Sequence, residues 1–236
     1  MSCLALFDLD HTLLPLDSEY EWARYLVDAG AADASEVEAN NALWLAEYTA
    51  GRLDFHRHAA FALGLLARHP RAHLEALRSG FMRDVIVPAI RPEARALLAT
   101  HQDAGDLCCI VTATCRFVTE PIAEALGVAH LLAVEAGCDA SGNFTGALEG
   151  VPSFGAGKIE RVTHWLDSLG MAWAQFERTV FYSDSRNDIP LLEAVSHPVA
   201  TNPDAALRAL ADTRGWPLLM LFASPTAEPA PALATA

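Results

Sequence analysis

The chain has 236 residues, of which 52% are hydrophobic, and a formal net charge of −14. That length can bury one large domain, or a domain carrying a substantial insert. So negative a field argues against nucleic-acid or anionic-membrane partners, and an anionic substrate would have to be drawn in by local cations.

The first element is the short apolar run Cys3-Leu4-Ala5-Leu6-Phe7, which reads as a buried strand. It leads into Asp8-Leu9-Asp10. If the strand extends to Asp10, alternation puts both carboxylates on one side. Two acidic groups at the C-terminal end of a strand make a cation site or an acid/nucleophile pair. The alternatives are a solvated loop or a helix cap. After Pro15 the pattern turns helical as far as about Val87. Glu21 to Leu26 carries apolar residues at helical spacing, and Val37, Asn41, Trp44 and Tyr48 continue a second face up to Gly51. Asp54 is a good N-cap for a third helix, and Leu74, Leu77 and Phe81 mark a fourth. Almost no strand signal interrupts this stretch, so residues 15–87 are expected to be a helical insert.

The pattern changes at Pro88. A helix from Glu93 to His101 precedes a buried strand, Leu107 to Val111, which ends at Thr112-Ala113-Thr114. A helix from Val118 to Leu126 stops at Gly127, and Leu131 to Val134 is a third strand. Residues 139–145 read as a hairpin turn and its return strand. Gly155-Ala156-Gly157-Lys158 opens a helix, and Thr179 to Tyr182 is a strand ending at Ser183-Asp184. Asp188 follows on the next turn, Pro198 to Thr201 reads as a fifth strand, and Asp204 to Leu210 as a last helix. Strands alternating with helices predict an α/β fold: a Rossmann-like parallel sheet wrapped on both faces, with a helical cap inserted after the first strand. Residues 1–14 and 88–223 would form the core. The Ala/Pro-rich residues 224–236 would form a flexible tail.

The five cysteines contain no CxxC pair, and Cys3, Cys108 and Cys109 lie in apolar runs. A disulfide framework is therefore not expected, and a reduced cytoplasm fits. No positive stretch precedes a hydrophobic segment at the N-terminus, so no signal peptide is expected. No apolar run is long enough to cross a bilayer.

Three strands thus end in complementary polar groups: Asp8 and Asp10, then Thr112, then Asp184 with Asp188. Lys158 stands at a helix start between the last two. Parallel strands bring their C-terminal ends to one crevice. Phosphoryl transfer through an aspartate needs such a set: a nucleophilic carboxylate, a second carboxyl for protons, a divalent cation and donors for phosphoryl oxygens. Carboxylates at two strand ends suit magnesium. Each residue alone has an ordinary reading as a turn, a cap or a solvated lysine. Their order on successive elements favours the joint one.

With these motifs the chain resembles the haloacid dehalogenase superfamily of phosphatases, in the branch that includes phosphoserine phosphatase. Asp8-Leu9-Asp10-His11-Thr12 is similar to that family's first motif. The resemblance implies Asp8 as the phosphorylated nucleophile and Asp10 as the proton donor and later base. Thr112 would hold a phosphoryl oxygen and Lys158 would steady the site. Mg2+ would be held by Asp8, Asp184 and the Asp10 carbonyl, with Asp188 and Asn187 in support. The helical insert would be the cap. Departures are Ala113 and Thr114, where two glycines are usual, His11 in place of a smaller residue, and Ser183 in place of a common glycine. The lost glycines argue against phosphoserine as substrate. The stretches His11 to Ser18 and Tyr182 to Ser185 resemble a histidinol-phosphatase-like subgroup.

Asp17 falls where phosphoserine phosphatases carry a glutamate for the substrate's amino group, which would suit an amino-alcohol phosphate such as histidinol phosphate or phosphoserine. Its alternative is to cap the first helix of the insert. Cap residues Arg52, Arg57 and Arg83 are candidates to meet the phosphate. His56 with His58, and His69 with His73, have metal-like spacing but read best as a solvated face. The expected activity is hydrolysis of a small phosphomonoester. A receiver-type phospho-acceptor module is the alternative, but it has neither the insert nor an Asp-x-Asp. Dehalogenation usually lacks the second aspartate and needs no metal. Oligomeric state has no sequence signal.

Overall fold

In the computed structural model, residues 3–222 are described. Strand β1 (Cys3–Phe7) forms where the apolar run predicts it, at the centre of a seven-stranded sheet ordered β4-β3-β2-β1-β5-β6-β7. The other strands are β2 (Leu107–Cys115), β3 (His130–Cys138), β4 (Phe144–Glu149), β5 (Arg178–Ser183), β6 (His197–Thr201) and β7 (Leu218–Leu219). All neighbours run parallel except β3 and β4, the expected hairpin. The sheet is therefore mostly, not wholly, parallel. β2 and β3 run several residues beyond their apolar stretches, and β7 carries no sequence signal that marked it beforehand. The expected tail, 224–236, lies outside the described residues.

Alternation along β1 decides which residues face which layer. Cys3, Ala5 and Phe7 point to one face, packed with Ala94, Leu98, Val118 and Ile122. Those residues come from α6 (Pro92–Asp103) and α7 (Arg116–Leu126). Leu4 and Leu6 point to the other face, with Val162, Leu166, Leu191 and Leu207. These belong to α8 (Gly157–Ser168), α9 (Ile189–Ala194) and α10 (Ala205–Arg214). Leu4, Leu6 and Phe7 are completely buried, each contributing roughly 1.5–3 kcal/mol relative to exposure. At the opposite end of the sheet from the site, Cys3, His101 and Asp106 cluster. Both ring nitrogens of His101 are engaged there, one with Asp106 at 2.7 Å and one with the Tyr182 hydroxyl at 2.9 Å, as a satisfied core histidine requires.

Between β1 and β2 lie α1 (Ser18–Asp28), α2 (Ala34–Thr49), α3 (Phe55–Ala67) and α4 (Arg71–Phe81). Asp54 caps α3 as expected, accepting from the Arg57 amide at 3.2 Å. The helical path does not stop at Pro88. It widens into a π turn over Met82–Ile86 and ends in α5 (Val87–Ala89). The wider turn keeps the Pro88 ring clear of the carbonyl it would strike in α geometry. The insert packs on the core through aromatic rings: Trp22 meets Phe81 at 5.3 Å and Phe117 at 5.9 Å, and Phe117 meets Phe144 at 5.1 Å. The Arg78 guanidinium covers Phe117 at 4.3 Å and the Arg71 guanidinium covers Phe144 at 4.5 Å. On β4, Gly146 (φ +81°) lets the hairpin approach Gly64 of α3, where a Cβ on Gly146 would lie 3.6 Å from the Gly64 Cα.

Candidate active site

The C-terminal ends of β1, β2 and β5 meet under the insert, around a cavity of about 1550 Å³. Asp8, Asp10, Asp17, Thr112, Lys158, Asp184, Asn187 and Asp188 all line it. The sequence-selected residues are thus brought together. β1 ends at Phe7, the Asp8 amide still bonds the Tyr182 carbonyl of β5 at 2.9 Å, and the amides of Thr12, Leu13 and Leu14 all turn back to the Leu9 carbonyl. His11 takes a left-handed conformation (φ +56°) and its carbonyl is held by Asn202 Nδ2 at 2.9 Å.

The two carboxyls have different surroundings. Lys158 Nζ lies 2.9 Å from Asp8 Oδ1 and 2.7 Å from Asp188 Oδ2, and all three residues are buried. Burial alone would lower the Lys158 pKa, but Asp188 and Asp8 together raise it, so the ammonium is retained. Burial pushes Asp188 up to about 6 against the opposing pull of Lys158. Ser183 donates to Asp188 Oδ2 at 2.7 Å, which explains a hydroxyl where a glycine is common. Asp10 has no cation among its partners. Its oxygens accept from the Ser18 amide at 2.8 Å and from the Thr114 hydroxyl at 2.8 Å. Burial, then Asp17, raises Asp10 to about 8.

Thr12 ties the end of β1 to the end of β5: its hydroxyl accepts from the Asp184 amide at 3.0 Å and faces Asp184 Oδ1 at 3.2 Å. Burial, then Asp8 and Asp188, raises Asp184 well above the usual carboxylate range. Three buried carboxyls (Asp8, Asp184, Asp188) and the half-buried Asp10 thus share the site, with Lys158, bonded to Asp8 and Asp188, as the one cation bonded to any of them among the described residues. That excess of hard oxygen donors over positive charge fits a magnesium ion. The Thr112 hydroxyl is buried and accepts from the Thr114 amide at 3.2 Å. Asn187 lines the wall through its loop, its amide bonded to Ser185 Oγ at 3.1 Å.

Asp17 caps α1, accepting from the Glu19 and Tyr20 amides at 3.0 and 2.8 Å, and it also faces the cavity. Glu19, Thr114, His58 and Tyr48 line the same cavity, and none of them was expected in the site: His58 was read as part of a solvated face, Tyr48 as part of a helix face and Thr114 as a departure from the motif. Glu19 Oε2 lies 3.3 Å from His58 Nε2. Burial, then Asp17, raises Glu19 to about 8, and burial lowers His58, so the pair is favoured in its neutral form. His58 therefore faces the cavity and pairs there, rather than lying on a solvated surface. Its ring meets Trp44 edge-on at 5.4 Å. His69 instead bonds the Ala31 carbonyl at 2.6 Å. The three cap arginines do not line the cavity. Arg57 pairs with Glu47 and covers Trp44, Arg83 pairs with its neighbour Asp84, and Arg52 is exposed. Only Thr114 had a possible signal, as the residue standing where a glycine was expected.

A mostly parallel sheet with carboxyls at two strand ends, a strand-end hydroxyl, a buried lysine and a helical insert after the first strand defines an α/β protein with an acidic site at the C-terminal ends of its strands. Residues 5–193 match the family model described as haloacid dehalogenase-like hydrolase, and the chain belongs to that family. It is a phosphatase of the phosphoserine phosphatase-like kind. A relative named histidinol-phosphatase, from Neisseria meningitidis serogroup C (strain 8013), is 40% identical over 93% of this chain and 99% of its own length. A solved structure of a protein of unknown function from Bordetella pertussis Tohama I is 49% identical, with a TM-score of 0.89 over 94% of this chain and 100% of that one. A substrate-bound phosphoserine phosphatase is 20% identical with a TM-score of 0.67 over 93% of both chains, which is a likeness of fold.

Proposed function

We propose that the chain is a magnesium-dependent phosphomonoesterase that hydrolyses a small amino-alcohol phosphate, such as histidinol phosphate, through an aspartyl phosphate on Asp8. The observation that carries this is the contrast between Asp8, held by Lys158 at 2.9 Å, and Asp10, held by neutral donors and raised to about 8. One is paired with a buried ammonium, the setting a carboxylate nucleophile needs. The other is disposed to carry a proton.

In the first step an Asp8 oxygen attacks phosphorus as the bond to the leaving oxygen breaks, and Asp10 gives that oxygen its proton. In the second, Asp10 takes a proton from water, whose oxygen attacks phosphorus. The bond from phosphorus to Asp8 breaks, and inorganic phosphate leaves. Lys158 and the Thr112 hydroxyl would face the phosphoryl oxygens. The carboxylates of Asp8 and Asp184 and the Asp10 carbonyl are the proposed ligands of Mg2+, whose charge would offset that of the phosphoryl group. Asp188 and Asn187 would support the loop that carries Asp184.

The amine in the substrate is argued from the wall beyond Asp10. Asp17 faces the space there, beside the neutral Glu19–His58 pair, while the adjacent Arg24 is already on Glu21 at 3.3 Å. A carboxylate at the mouth of a phosphate site repels an incoming anion unless the leaving group is cationic. The same wall disfavours a substrate carboxylate. Phosphate release from histidinol phosphate, phosphoethanolamine, phosphoserine and an aryl phosphate, with magnesium and with EDTA, tests the reading. Turnover that is insensitive to EDTA, or that prefers phosphoserine, would reject it. The relative named histidinol-phosphatase supports the first of these substrates.

A further inference from the structure

The aromatic contacts that fasten the insert lie on α1, α3 and α4, with Phe55 of α3 stacked on Phe154 at 4.5 Å, whereas α2 forms a wall of the cavity. At the end of α2 the Tyr48 hydroxyl crosses to the core. It donates to Asp204 Oδ2 at 3.3 Å and shares a hydrogen bond with Ser185 Oγ at 2.9 Å. Burial holds the phenol's pKa upward, so it remains a donor. Three residues on, Gly51 (φ +66°) lies against Arg186, where a Cβ would meet the guanidinium at 2.9 Å. Two neighbouring points of α2 therefore rest on consecutive residues of the loop between Asp184 and Asp188.

Both hydrogen-bond partners of Tyr48 hold that loop. Ser185 Oγ accepts from the Asn187 amide at 3.1 Å. Asp204 accepts from the Arg186 amide at 3.1 Å, and its own amide donates to the Asp184 carbonyl at 2.8 Å. Its other oxygen caps α10 through the Leu207 amide at 2.7 Å. Asp204 is thus fixed from the core side, and Tyr48 completes its shell only when α2 is docked.

We propose that Tyr48 is a positioning residue, which through Ser185 and Asp204 couples the seating of α2 over the cavity to the conformation of the loop carrying Asp184 and Asp188. It touches no reacting atom. Its effect is that the acidic loop is fully ordered only under a docked cap, so a substrate that holds α2 down also completes the site beneath it. This rests on the phosphatase reading for its kinetic consequence but not for its structural one.

The test uses the full chain and Tyr48→Phe, which keeps the ring and removes the hydroxyl. Hydrogen exchange followed by peptide mass spectrometry, on the protein alone, should accelerate both in 34–51 and in 184–188, with the melting temperature held to within a few degrees. Faster exchange in 34–51 with a wild-type rate in 184–188 would overturn the coupling, as would no change in either. With an aryl phosphate as probe, kcat/KM should fall about tenfold, the loss expected for a hydrogen-bonded hydroxyl shared with a charged partner. The magnesium concentration for half-maximal rate should rise. Ser185→Ala should give a similar loss, and the double variant little more than either alone. Strictly additive losses would overturn the shared path. If the wild type proves inactive on every phosphomonoester, the exchange result still decides the proposal while the functional reading fails on its own.

Discussion

Asp8 and Asp10 are two residues apart, and the chain divides the cavity between them. Around Asp8 the site is charge-paired: Lys158 bridges it to Asp188, and Ser183 bonds the far carboxylate. Around Asp10 it is not. Thr114 and a main-chain amide are its donors, and Asp17 and Glu19 add carboxyls nearby. One half gathers positive charge around a carboxyl and the other does not, so two chemically identical side chains are given opposite surroundings by their neighbours. In the proposed mechanism the leaving group would lie on the side where positive charge is scarce.

The contrast can be broken most directly at Asp8. Asp8→Asn should reduce phosphate release by on the order of 10³-fold or more, since no other group can accept the phosphoryl. Far-UV circular dichroism should be unchanged. Residual turnover above a few percent would remove Asp8 from its role.

Asp10→Asn should cost about 10²- to 10⁴-fold on alkyl phosphates, the span of general acid catalysis. With an aryl phosphate the first step should survive, because that leaving group needs no proton. A burst of phenol followed by slow turnover is the expected signature, and a burst-free uniform loss would contradict it. Lys158→Met should lower the rate by about 10²-fold and destabilise the fold by about 3–5 kcal/mol, because two buried carboxylates lose their shared partner. Urea denaturation measures this, and adding Asp188→Asn should return part of the stability.

On the Asp10 side, Asp17→Ala removes a cap worth about 1 kcal/mol of stability. If Asp17 also meets an ammonium, efficiency on amine-bearing phosphates should fall about ten- to a hundred-fold, with aryl phosphate spared. Equal effects on both would leave Asp17 as a cap alone. The smallest effect is expected at Glu19. Its carboxyl is raised from 4.5 to about 8, so across that window the unfolded chain has ionised while the folded one retains its proton. Stability from this group therefore falls as pH rises, and Glu19→Gln should gain on the wild type by a few degrees in Tm between pH 5 and 8. A gap that narrows with rising pH would show the pair to be ionic instead.

Much of the Asp8 half was legible beforehand. Asp8, Thr112, Lys158, Asp184 and Asp188 each follow an apolar strand or open a helix, and parallel strands gather such ends whatever the loops do. The sheet itself follows from the same alternation of strands and helices, including its one antiparallel hairpin. The turn that follows Asp10, closed by three amides on the Leu9 carbonyl, had no sequence signal. The Asp10 half was mostly hidden. Glu19, His58 and Tyr48 lie on helices whose spacing shows which face is apolar but not which neighbour that face meets. Thr114 is 104 residues from the carboxyl it bonds, and Tyr48 is 137 from Ser185.

What the sequence by itself determined is the set of strand-end groups and the layered fold that gathers them, because both depend on local periodicity and short connections. What only the tertiary structure decided is the environment of each carboxyl. Burial and the sign of nearby charge depend on how the four-helix insert seats over the sheet, and that seating rests on contacts between segments the periodicity does not relate.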